Sequence, residues 1–205
     1  MENFDAQILD IIGGTLGSNH LANVGQSALD DYLTISARTV LDVLPDPMLL
    51  KHLSTANTSS QVYAISNKRI LRVTMAGYNC REVPFGLSAQ VGDSNSIHYA
   101  TAKSPVFFIN GSSQVQVKPT TAEAAVDYMS YPTIDADGAG AISNFPDAAE
   151  YAVVLGAAIK VLQNVLSNHI HVDEDAELAA AMQLELASLQ GIYQQEMSKL
   201  TGVKS

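Results

Sequence analysis

The spacing of the apolar residues changes twice along this chain, and that double change limits its fold more than any other feature. From Ala28 the apolar positions recur at helical spacing, as Ala28-Leu29, Tyr32-Leu33, Ala37, Val40-Leu41 and Leu44, with Asp30, Asp31, Arg38 and Asp42 on the opposite side. Beyond residue 60 the pattern alternates, as in Ile70-Leu71-Arg72-Val73-Thr74-Met75 and Ala125-Val126-Asp127-Tyr128-Met129-Ser130-Tyr131. After Gly138-Ala139-Gly140 the helical spacing returns. Such a chain is expected to be α+β: a helical bundle drawn from both ends, with an inserted β-rich module, a small antiparallel sheet or sandwich, between them.

The expected organisation is an N-terminal arm over 1–23, a helical bundle from 24–58 plus 146–200, and a β module over 61–135. In the arm, a short helix with Phe4, Ile8, Ile11 and Ile12 on one side is broken by Gly13-Gly14-Thr15-Leu16-Gly17. The first bundle helix runs for about 18 residues and stops at Pro45 and Pro47, with a shorter helical piece over 48–53. Residues 55–60, Thr-Ala-Asn-Thr-Ser-Ser, read as a polar linker. In the β module, Val106-Phe107-Phe108-Ile109 and Val115-Gln116-Val117 flank Asn110-Gly111-Ser112-Ser113, a hairpin with Asn-Gly at its bend. Pro84, Pro105, Pro119 and Pro132 stand at strand ends, where a missing N–H does no harm.

Asn144-Phe145-Pro146-Asp147 then offers a cap, a first-turn proline and a first-turn acid for a helix reaching about Ser167. That helix is apolar on nearly every side, leaving only Lys160, Gln163 and Asn164 polar, so it needs cover from its own chain or a neighbour. Its Ala149, Ala152, Gly156 and Ala157 allow close backbone approach. Asp173 caps a last helix whose Leu178, Met182, Leu186, Leu189, Tyr193, Met197 and Leu200 form a stripe.

With 47% apolar and 16% charged side chains, the 205 residues can build a core without a disulfide or metal. The single Cys80 leaves no internal disulfide and no cysteine-based zinc cluster. Against 21 Asp+Glu stand 11 Lys+Arg, a net charge of −10, which disfavours wrapping nucleic acid through phosphates. The ends are acidic and the middle is not: 2 basic against 7 acidic over 1–60, 6 against 5 over 61–135, and 3 against 9 over 136–205. Residues 151–167 fall short of the roughly 20 apolar residues of a membrane span, and the acidic start Met1-Glu2-Asn3-Phe4-Asp5 is unlike a secretory signal. The expected location is the cytoplasm, unless the protein leaves inside a larger particle.

Catalytic patterns are sparse, and no enzyme activity or cofactor is expected. Gly13–Gly17 lacks the lysine of a phosphate loop and follows a helix. Cys80 has Arg81 beside it but no nearby histidine. Two weak metal patterns exist. Asp135-Ala136-Asp137-Gly138 matches the start of a calcium loop, but Ala139 and Pro146 stand where further carboxylates are needed. His169-Ile170-His171 precedes Asp173-Glu174-Asp175, a compact zinc-like set at a helix junction.

The middle and C-terminal thirds resemble the head-to-tail connector or adaptor proteins in the neck of tailed bacteriophages. The blocks are Arg69-Ile70-Leu71-Arg72-Val73, Cys80-Arg81-Glu82-Val83-Pro84, Ser96-Ile97-His98-Tyr99-Ala100-Thr101 and Ser104-Pro105-Val106-Phe107-Phe108. They continue with Val115-Gln116-Val117-Lys118-Pro119, Tyr131-Pro132 and the run from Asn144-Phe145-Pro146-Asp147 through Val153-Val154-Leu155-Gly156 to Lys160. The resemblance covers about 100 residues, over 68–166, with a weaker echo at Val43-Leu44-Pro45. It implies a virion structural protein, made in the host cytoplasm and built into the neck between head and tail. The implied assembly is a homo-oligomeric ring of about a dozen copies against the portal protein and tail or neck proteins, with DNA sliding through its channel without specific binding and no membrane involved.

Within that reading the assembly residues are Ala149, Val153, Gly156, Ala157 and Ile159 for helix packing, and Phe4, Ile8 and Ile11 for an arm contact. The absence of a basic C-terminal tail, with only Lys199 and Lys204, departs from the expected pattern. The alternatives are a tail-terminator or tail-tube ring protein and a calcium-dependent binding module using Asp135 and Asp137.

Overall fold

The computed structural model describes residues 3–21, 24–58, 62–138, 140–172 and 176–202, with side chains for all of these except 14–21, 169–172 and 176. The chain is α+β and separates into two compact units, one of Met1–Leu49 with Pro132–Ser205 and one of Leu50–Tyr131.

The first unit is helical: α1 Phe4–Leu21, α2 Gln26–Val43, α3 Asp46–Leu49, α4 Asp147–Val172 and α5 Ala176–Thr201. α1, α2 and α5 all pack against α4, which explains why α4 is apolar all round. Ala152, Val153, Val154, Leu155, Ala157, Ala158, Val161 and Leu162 are all buried. The cover α4 requires therefore comes from its own chain. At 26 residues the helix outruns the expected end near Ser167. Its stretch Asp147–Asn168 has the length and apolarity to cross a membrane, but 67% of its most apolar 18-residue window is buried.

α2 buries Leu29, Leu33, Ala37, Val40 and Leu41, the face its periodicity marks. It ends where Leu44 turns extended ahead of Pro45. α3 is a single turn, shorter than the piece expected over 48–53.

α1 corrects the reading of 1–23 as an arm. The helix continues through Gly13, Gly14 and Gly17, although glycine in a helix interior costs about 1 kcal/mol relative to alanine. Burial of Phe4, Ile8 and Ile12 within the unit offsets that cost. Phe4 and Ile8 are thus core residues, unavailable for an arm contact, and Ile11 is half-buried.

α4 begins at Asp147, with the Ala149 N–H donating to the Pro146 carbonyl at 2.8 Å. Asn144 is not its cap, because its φ of 54° places it in the left-handed region of the preceding turn. The Glu150 carboxylate instead reaches back and accepts from the Ile142 N–H at 2.6 Å. The connection entering α4 is fastened to α2: Ile134 N–H donates to Thr34 Oγ1 at 3.1 Å and Ala136 N–H to Asp30 Oδ1 at 2.8 Å. In α5, Met182 and Leu189 are buried and Leu186, Tyr193, Met197 and Leu200 half-buried. The cap expected at Asp173 lies outside the described residues.

The second unit holds two four-stranded sheets. One has the order β1 Ser54–Thr58, β8 Ala124–Ser130, β3 Lys68–Met75, β4 Tyr78–Asn79, all antiparallel. The other runs β2 Val62–Ala64, β7 Gln114–Lys118, β6 Val106–Ile109, β5 Arg81–Glu82, with β5 parallel to β6. Val73, Met75, Ala124 and Val126 of the first sheet meet Phe107, Val115 and Val117 of the second in a shared core. On the outer side of β6, Val106 and Phe108 are covered by Val83, Val91 and Ala100 from the long β5–β6 connection.

One turn and one strand differ from expectation. The polar segment read as a linker is β1, an edge strand paired with β8 from Ser54 opposite Tyr128 to Thr58 opposite Ala124. An edge strand tolerates the polar residues that hid it, because half of its side chains face solvent. In the β6–β7 hairpin the left-handed residue is Ser113, at φ 52°, and not Gly111. The Asn110 side chain holds that bend by accepting from the N–H groups of Ser112 and Gln114. The β3–β4 turn places both Ala76 (φ 50°) and Gly77 (φ 83°) in the left-handed region, the signature of a type I′ turn.

Candidate functional site

A groove lies wholly in the β unit. β4 ends in one sheet and β5 begins in the other, so Cys80 stands at the corner between them. Its N–H donates to the Val73 carbonyl at 2.8 Å, while the next N–H, of Arg81, donates to the Pro105 carbonyl at 3.0 Å. This crossing holds the sheets apart on one side and leaves a groove of about 680 Å³. Its walls are Ile70, Val73 and Cys80 on one side and Phe107 and Ile109 on the other, with Leu50, Lys68, Arg72 and Glu82 also lining it.

β3 supplies the groove's open edge. It pairs with β8 along its whole length, but with β4 only at Thr74 and Met75. A bulge between Ile70 and Arg72 shifts the register so that Arg72 lies opposite Asp127. Lys68 is held over two aromatic rings, 4.4 Å from the Tyr63 centroid and 4.6 Å from that of Tyr128, and its Nζ donates to the Tyr63 hydroxyl at 2.6 Å. The hydrogen bond with Tyr63, then burial, pushes the Tyr128 hydroxyl above the usual tyrosine range. Burial pushes the Cys80 thiol up to about 11, so near neutral pH it is a protonated, sluggish nucleophile. The groove is therefore suited to binding an apolar or mixed surface.

The calcium-like segment lies in the helical unit and has a different use. Asp135 Oδ1 accepts from the Asp137 N–H at 3.2 Å, and the Gly138 N–H donates to the Asp135 carbonyl at 3.1 Å, so Asp135 closes its own turn. Asp137 meets Asp5 of α1. Burial, then a hydrogen bond with Asp137 and the charge of Asp137, raise the Asp5 carboxyl to about 6, with Gln26 opposing and the Asp30 charge adding. A second carboxylate beside Asp5 disfavours its charged form. Among the described residues no three His, Cys, Asp or Glu side chains form a metal-binding group. The side chains of His169 and His171 lie outside the described residues.

The residues expected to carry assembly are brought together, but inside the chain. Ala149, Val153, Gly156, Ala157 and Ile159 are buried in α4. At Gly156 an added Cβ would lie 3.1 Å from Ser36 Oγ, 3.2 Å from Ser36 Cβ and 3.5 Å from Tyr193 Cε2, so the glycine sets the spacing of α2, α4 and α5. The groove went unforeseen because it depends on which sheet each short strand joins. The Arg72 and Asp127 pair had a signal in the sequence: a lone acid within the apolar run of β8 requires a partner. No family model and no curated protein matches the chain.

Proposed function

We propose that this protein is a structural component of a phage neck, forming a ring of about a dozen subunits that connects the capsid portal to the tail around a DNA channel. The observation that carries this reading is the ordered run of sequence blocks resembling neck connectors, from Arg69-Ile70-Leu71-Arg72-Val73 to the stretch ending at Lys160. These blocks fall on β3, β5, the β5–β6 connection, β6, β7 and the first half of α4.

In this reading α1, α2, α4 and α5 act as one helical bundle from both ends of the chain, a role supported by the packing of the other three against α4. The net charge of −10 suits a channel through which DNA slides without sticking. Since the small-residue face of α4 is buried within the subunit, contacts between subunits belong to other surfaces.

The test is the copy number of the chain in purified virions, by quantitative mass spectrometry against the major capsid protein. About a dozen copies is the expected result. Hundreds would make it a tube or shell protein, and absence from the particle would overturn the reading.

A further inference from the structure

We propose that the groove of the β unit receives the outer face of α5 from a second copy of the chain, and that this contact closes the ring; the inference rests on the ring reading above. The first argument is charge. Residues 50–131 hold 7 Lys+Arg against 4 Asp+Glu, a net of +3, whereas the rest of the chain holds 4 against 17, a net of −13. Two helical units facing each other repel, while a β unit facing a helical unit attracts. Two β units meeting antiparallel along their open β3 edges are also disfavoured, since that pairing sets Lys68, Arg69 and Arg72 of one copy among those of the other.

The second argument is shape and chemistry. The groove offers apolar walls with Lys68 and Arg72 among its lining, and its lining residue Leu50 is 49% exposed. On α5, the side turned away from α4 carries Ala180, Ala181, Leu184, Ala187, Gly191 and Ile192, all exposed. Leu184 is 76% exposed, the most of any large apolar side chain on the described helices. Small residues on either side of Leu184 let this face seat closely, and Glu185 beside it brings a negative charge toward Lys68 and Arg72, in a lining that also holds Glu82. The contact joins two different surfaces, so its repetition generates a ring where the rotation closes and a filament where it does not.

The single cysteine makes a direct test possible, because Cys80 lines the groove. Oxidation of the native chain can link at most two copies. Leu184→Cys is expected to give a reducible ladder beyond the dimer, and Leu184→Cys with Cys80→Ser to give no ladder. Leu184→Lys should keep its helical signal and melting temperature while self-association weakens at least about tenfold, and association of the native chain should weaken with added salt. If the native chain sediments as an oligomer but Leu184→Cys yields nothing above dimer, or Leu184→Lys associates normally, the α5 contact is overturned and the ring stands. A native chain that stays monomeric up to millimolar concentration and is absent from virions overturns the ring and the contact together.

Discussion

Arg72 grips Asp127 with two nitrogens, Nε at 2.8 Å and Nη2 at 2.7 Å, both on Oδ2. The Asp127 carboxylate is buried, the Arg72 side chain is 53% exposed, and Thr55 Oγ1 donates to the other carboxylate oxygen at 2.6 Å. One acid thereby ties β1, β8 and β3, and the bulge at Leu71 is what brings Arg72 opposite it.

Asp127→Ala should destabilise the β unit by about 2 kcal/mol, since it removes charge-assisted hydrogen bonds and leaves the Thr55 hydroxyl without its acceptor. Arg72→Met should cost at least as much in chemical denaturation, because it leaves the buried Asp127 carboxylate with Thr55 alone, whereas Asp127→Ala leaves an arginine that solvent can hydrate. A loss for Arg72→Met below half that for Asp127→Ala would contradict this asymmetry.

Ser36 is buried against Gly156 and its hydroxyl finds no hydrogen-bond partner among the described residues. Ser36→Ala should therefore raise stability by about 1 kcal/mol. Gly156→Leu should lower it by about 1–3 kcal/mol through overpacking between α2 and α5. Urea unfolding of both variants measures the two signs.

At the β3–β4 turn, Ala76 occupies a left-handed position that suits asparagine. Ala76→Asn should stabilise the unit by roughly 0.5–1 kcal/mol, because an ordinary residue is strained by about that much or more there. A lower melting temperature would show that the turn is not type I′ in solution.

The Asp5 carboxyl has a folded-state value of about 6 against an ordinary 3.8. The folded protein thus holds a proton that the unfolded chain releases, and the stabilisation is complete below pH 3.8 and lost as pH rises through about 6. Among the contributions to the pH profile, this one should decline between pH 4 and 7. Asp5→Asn should remove that decline in melting temperature and leave the variant the more stable protein at neutral pH.

Sequence periodicity alone determined that helices bracket a β-rich segment, where α2 ends, and which strands make the β6–β7 hairpin. These follow from interactions within a few residues: the 3.6 and 2.0 residue spacings, prolines at element ends and the Asn110 turn. Only the tertiary structure decided that α1 runs through Gly13, Gly14 and Gly17, because burial of Phe4, Ile8 and Ile12 against the rest of the unit outweighs local glycine entropy. Tertiary pairing likewise turned the polar segment 54–58 into a strand and made the small-residue face of α4 an internal spacer. The same holds for the groove, whose walls come from residues up to 59 positions apart in the chain, Leu50 to Ile109. A backbone hydrogen bond or a buried contact between such distant residues has no local pattern, since its energy depends on which strand arrives beside which.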